Sequence, residues 1–144
     1  MARSPVPVVG AMRAAYGVLL AFPVTLFTTA VATDIAYLRT AELQWTNGSA
    51  WAIAVGLVFG AVVLILALVG VLAHLRSTRR GPRLLHTGLL AVMCALGLIN
   101  AFKHSQDGWS SVGGFGLILS ILTALAALAA AAIAYSGALD GEDA

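Results

Sequence analysis

The sequence has little that titrates and almost no sulfur: of 144 residues, 10% are charged, one is cysteine and four are proline. A soluble domain is about one quarter charged and a little under half apolar. Here 60% is hydrophobic, with a mean hydropathy of +0.96, which excludes a water-soluble globular fold. A single cysteine, Cys94, excludes an intrachain disulfide and a thiolate-built zinc or iron–sulfur site. Inside an apolar run it reads as a small core residue. Eight Lys and Arg against six Asp and Glu give a net charge of +2, and no basic patch of the kind that holds nucleic acid. P-loop, metalloprotease and nucleophile–base motifs are absent, so no catalytic residue and no metal site is assigned, and the reading is of a non-enzymatic protein.

What the sequence does have is four long apolar blocks, over about 14–38, 50–75, 84–102 and 114–138. Each is near or above the roughly 20 residues that an α-helix needs to cross a hydrocarbon core of about 30 Å. Backbone polar groups must pair within the segment in lipid, and no barrel-type alternation is present. The expectation is an all-α, integral membrane, four-helix bundle forming a single domain over residues 1–144. Short polar connections at Arg39–Ser49, Arg76–Arg83 and Lys103–Gly113 make successive helices antiparallel, up-down-up-down. Arg3, Arg13 and the Ala30-Val31-Ala32 triplet also suit a signal peptide; the long basic region, interrupted by Pro5 and Pro7, favours a first span instead.

Four spans put the N-terminus, the middle connection and the C-terminus on one face. That face holds Arg3, Arg13, Arg76, Arg79, Arg80 and Arg83, and the opposite one Arg39 and Lys103. The asymmetry predicts a multi-pass protein of the bacterial inner membrane with both termini cytoplasmic; the acids Asp140, Glu142 and Asp143 weigh little in that rule. Trp45, Trp51 and Trp109 fall in or beside the outer connections, as interfacial anchors. Lipid supplies no hydrophobic drive between helices, so packing relies on small residues. Gly56 and Gly60 form a GxxxG pair, and Gly116, Ser120, Ala124, Ala127 and Ala131 a stripe on the fourth helix. Both faces are expected to pack inside the bundle, with a dimer contact as the alternative.

Ionisable groups at membrane depth need a partner, a cavity or a ligand. Asp34 stands about four residues inside the outer end of the first helix, and Asn100, Lys103 and His104 reach the same level on the third. A polar membrane cluster of these four is expected to fix the bundle; a proton or ligand site from the same residues is the alternative. Thr25, Thr29 and Thr33 recur every four residues toward Tyr37, and such hydroxyls usually bond their own helix. A hydrated groove is the alternative there, and Pro23 should kink the same helix. His74 closes the second helix and His86 opens the third, so the two could supply the imidazoles of a b-type haem, or His86 could pair with His104.

Leu20-Ala21-Phe22-Pro23, Asp34 at the end of the same helix, Trp51 and Gly56 opening the second and His86 opening the third resemble the bacterial family called domain of unknown function 2231. The similarity runs from about Tyr16 to Gly137. The resemblance implies a four-helix membrane protein in a redox setting, since members occur fused to or encoded beside Rieske and cytochrome c modules. Family members usually carry a His just before the Phe-Pro pair; Ala21 stands there in this chain, which removes one ligand from any family-wide haem or proton site.

The functional expectation is therefore a small non-enzymatic subunit or accessory of a larger membrane complex, in a respiratory setting. Its partners are the lipid bilayer and either another membrane protein or a second copy of itself. A b-haem or quinone-linked electron carrier is the alternative, and a small transporter or channel along the threonine stripe the third reading.

Overall fold

The computed structural model describes residues 7–75, 80–105 and 112–139, with the side chains of 7–9 outside the description. Four helices follow one another: α1 Pro7–Thr40, α2 Leu43–Ala73, α3 Arg80–His104 and α4 Gly114–Tyr135. All four are long and apolar enough to cross a membrane. They form an antiparallel ring in which α1 and α3 each pack along α2 and α4, while α1 and α3 meet across the ring through longer side chains, as Asp34 does with His104 and Tyr16 with His86. Among the described residues there is no strand. Arg3, Arg76, Arg79, Trp109 and the acids of the C-terminus lie outside them.

Three of the four helices begin ahead of their apolar blocks. Pro7 starts α1 well before residue 14, and Pro82 lies in the first turn of α3, ahead of residue 84. Proline is tolerated there because first-turn N–H groups have no intrahelical partner. The largest difference is α2, which begins at Leu43 rather than at 50, so the expected loop Arg39–Ser49 shrinks to two residues. Ala41 makes that reversal in the left-handed region, φ 56°, with its N–H on Tyr37 O at 2.8 Å. At the other extreme, α4 stops at Tyr135, short of 138, where Gly137 takes φ 76°.

Phe27 lies at the centre of the core with Leu20, Ile53, Val63, Leu90 and Met93, all buried. Glycines let the backbones close on it. A Cβ at Gly56 would stand 3.2 Å from the Phe27 ring, and one at Gly97 would stand 3.0 Å from Leu57 and 3.2 Å from Phe27. The Gly56/Gly60 face thus meets α1 and α3, and the Gly116, Ser120, Ala124, Ala127, Ala131 stripe is buried on the opposite side of the ring. Pro23 is buried within an otherwise continuous α1, and Phe22 stacks on Phe59 with centroids 4.2 Å apart. The Phe-Pro pair is therefore a packing element of the α1–α2 contact.

Candidate functional site

Near the α1–α2 turn, one buried carboxylate gathers a side chain from every other helix. Asp34 on α1, Ser49 on α2 and Ser120 on α4 each stand six residues from the end of their helix, about 9 Å in at 1.5 Å per residue. Asp34 is fully buried. Its Oδ1 accepts the Ser49 hydroxyl at 2.5 Å and faces His104 Nε2 at 3.0 Å; its Oδ2 accepts the Ser120 hydroxyl at 2.5 Å. Asn100 Nδ2 donates to Ser120 Oγ at 2.8 Å, so the amide reaches the carboxyl through a hydroxyl. Lys103, half-buried, adjoins His104 at the end of α3.

Donor and acceptor counting fixes most of the hydrogens. His104 Nδ1 lies 3.0 Å from Asn100 O, and a carbonyl can only accept, so Nδ1 carries hydrogen. The Asp34–His104 bond then holds one further proton between Oδ1 and Nε2, which makes the pair neutral as a unit. Asn100 Oδ1 is left buried without a partner. The geometry is that of a tie: two carboxylate oxygens, three direct donors and all four helices.

A second polar pair, His86 buried and Tyr16 half-buried, sits toward the end where the termini lie. His86 on α3 donates Nδ1–H to Ala130 O on α4 at 2.9 Å, and its Nε2 accepts the Tyr16 hydroxyl from α1 at 2.6 Å. Close by, Tyr135 donates to Gly17 O at 2.8 Å and Arg83 Nη2 to Leu139 O at 3.1 Å. His74 lies elsewhere, exposed at the C-cap of α2 with Nδ1 2.9 Å from Gly70 O. Each imidazole is thus engaged separately, and iron at His86 Nε2 would have to take the place of the Tyr16 hydroxyl. His104 belongs to the Asp34 group at the opposite end of α3.

The threonine stripe turns back on its own helix: Thr29 donates to Thr25 O at 2.8 Å and Thr33 to Thr29 O at 3.0 Å. Thr25 and Thr29 are exposed on the outside of the bundle. Two residues of the carboxylate group had little signal in the sequence. Ser49 falls in a stretch that hydropathy assigns to a loop, and Ser120 reads as one more small residue in a stripe, although it is the stripe's only hydroxyl. Tyr16 gives no sequence signal for its pairing with His86, seventy positions away.

The model of a family described as predicted membrane protein (DUF2231) matches residues 16–139. The chain belongs to that family. No curated protein and no solved structure matches the chain. Within the DUF2231 match fall Asp34, His86, Asn100, His104 and Ser120, so both buried polar groups lie inside the family's extent. At Ala21, where the resemblance leads one to expect His, α1 is exposed on the outside of the bundle.

Proposed function

We propose that this DUF2231 protein is a non-enzymatic subunit or accessory of a larger complex in the bacterial inner membrane, with both termini in the cytoplasm. The observation that supports this reading is the four-helix tie on Asp34. Its carboxylate is saturated by protein donors from three other helices, as a structural fastener is, and the Tyr16–His86–Ala130 chain closes on itself at the other end. A bundle whose buried carboxylate and His86 imidazole are both engaged by the protein itself offers its partners an outer surface. The resemblance to redox-associated proteins favours a respiratory complex.

Electron transfer through haem would require His86 Nε2 to leave Tyr16. Transport along the threonine stripe would require hydroxyls that now bond their own helix to face water. Both ask for rearrangements that the subunit reading does not. Extraction in several mild detergents followed by native mass analysis tests it. A membrane protein co-purifying in fixed ratio is the expected result, and a lone monomer in every detergent overturns the reading.

A further inference from the structure

The group around Asp34 is short of hydrogens. Its acceptors are Asp34 Oδ1 and Oδ2, Asn100 Oδ1 and, whenever His104 is neutral, the imidazole Nε2. Asn100 Oδ1 is buried and already lacks a donor, and the Nδ1–H of His104 is committed to Asn100 O at 3.0 Å. Loss of the proton shared by Asp34 and His104 would therefore leave Nε2 in need of a donor as well, and buried polar atoms are rarely left without one.

Ser49 stands where that donor is needed. Its Oγ lies 2.5 Å from Asp34 Oδ1, 3.3 Å from His104 Nε2 and 3.4 Å from Ala30 O. A hydroxyl carries one hydrogen, which swings about the Cβ–Oγ bond without moving a heavy atom. With the shared proton in place, Nε2–H donates to Asp34 Oδ1 and Ser49 donates to the same oxygen. With the proton gone, the Ser49 hydroxyl turns to Nε2 while Ser120 still donates to Oδ2. The same side chains thus satisfy His104 at either proton count.

Among the described residues, the other titratable groups toward this end are Tyr37 and Arg39 on α1, Glu42 at the start of α2 and Lys103 on α3; α4 brings none, and Asp107 lies outside the description. All four are half-buried or exposed, whereas Asp34 and His104 are buried. His104 also ends α3, with the exposed Ser105 directly after it, so the path from the ring to water is short. We infer that the Asp34–His104 pair is a reversible binding site for one proton, with the Ser49 hydroxyl turning from the carboxylate to the imidazole when the proton leaves. On release the Nε2–H bond breaks, its electron pair stays on nitrogen, the proton passes to water and the pair goes from neutral to singly negative. Occupancy decides which helix His104 holds: α1 through Asp34 when the proton is bound, α2 through Ser49 when it is not. The site does not depend on the protein having a membrane partner.

The test is nitrogen NMR of the full chain with isotopically labelled histidine, in lipid bicelles titrated from about pH 5 to about pH 10. The His104 signals are those that disappear in His104→Gln. They should pass reversibly, in one single-proton step, from a ring with hydrogen on both nitrogens to a neutral ring with hydrogen on Nδ1. Ser49→Ala takes the only hydroxyl from Nε2 of the neutral form, whereas Asp34 Oδ1 in the protonated form keeps the imidazole N–H. At the pH where the parent is half converted, Ser49→Ala should therefore hold about tenfold more protonated than neutral His104. Asp34→Asn removes the carboxylate and should favour the neutral ring about tenfold or more at that pH; should it fail to fold, Ser49→Ala decides. A His104 ring that keeps one form across the range, a neutral form with its hydrogen on Nε2, or a Ser49→Ala protein that titrates as the parent does would each overturn the proposal.

Discussion

Asp34 is where one side chain decides the most, because its charge has no water to fall back on. Removing one member of a buried charge pair costs about 3 to 5 kcal/mol. Asp34→Asn keeps the shape, and His104 can shed a proton in response, so the expected loss is near the low end, about 3 kcal/mol, read as reduced stability to denaturant in detergent. Hydroxyls matter less: interhelical hydrogen bonds in membranes are worth about 0.6 to 2 kcal/mol. Ser120→Ala, which cuts the donor to Oδ2 and strands the Asn100 amide, should therefore cost about 1 to 2 kcal/mol. Thr29→Val, at a lipid-facing position bonded only along its own helix, should change stability by less than about 0.5 kcal/mol. An Asp34→Asn variant as stable as Thr29→Val would mean that the carboxylate ties nothing together. How legible this site was follows from the same residues. Asp34, Asn100 and His104 stand out in sequence because charge and amide groups are rare in apolar runs, and helical rise alone puts them at one depth. Ser49 and Ser120 do not stand out, because serine is small enough to pass for packing and its chemistry appears only when an acceptor is known to face it.

Among the elements, the glycines separate close approach from empty space. Gly97 lies where a Cβ would come within 3.0 Å of Leu57 and 3.2 Å of Phe27, a ring held on all sides by buried neighbours. Gly97→Ala must shift the Leu57 side chain and the buried Phe27 ring by a few tenths of an ångström, and overpacking of this kind costs about 1 to 3 kcal/mol. Gly88 is on the same helix with nothing within 4 Å. Gly88→Ala should be neutral or gain up to about 1 kcal/mol through backbone entropy, so the two alanine variants should melt on opposite sides of, or one at, the parent value. Gly60 is intermediate: a Cβ there meets the end of the flexible Met93 side chain at 2.8 Å, which can swing aside. Hydropathy located all four helices because the membrane demands about 20 apolar residues from each. It misplaced their ends because it reports hydrocarbon depth, whereas a helix continues until its hydrogen bonding stops. Leu43-Gln44-Trp45-Thr46 is polar enough to look like a loop, yet the left-handed turn at Ala41 lets it open α2.

For the molecule as a whole, the consequence of an even number of spans is that the termini share a face, and which face that is rests on charge. Arg13, Arg80 and Arg83 cluster among the described residues at the end of the termini, whereas Arg39 and Lys103 sit at the other. Cationic side chains in short connections resist translocation, and the proposed orientation accordingly keeps the richer end in the cytoplasm. The single native cysteine makes this directly measurable. With Cys94 replaced by alanine, Ser105→Cys places a thiol just past α3, on the Lys103 side, and Ser136→Cys places one just past α4, on the arginine side; both positions are exposed. A membrane-impermeant thiol reagent applied to intact spheroplasts should label Ser105→Cys and leave Ser136→Cys unmodified until the membrane is broken. The reverse pattern would put Arg13, Arg80 and Arg83 on the outer face, and labelling of both in intact spheroplasts would mean that α4 does not cross.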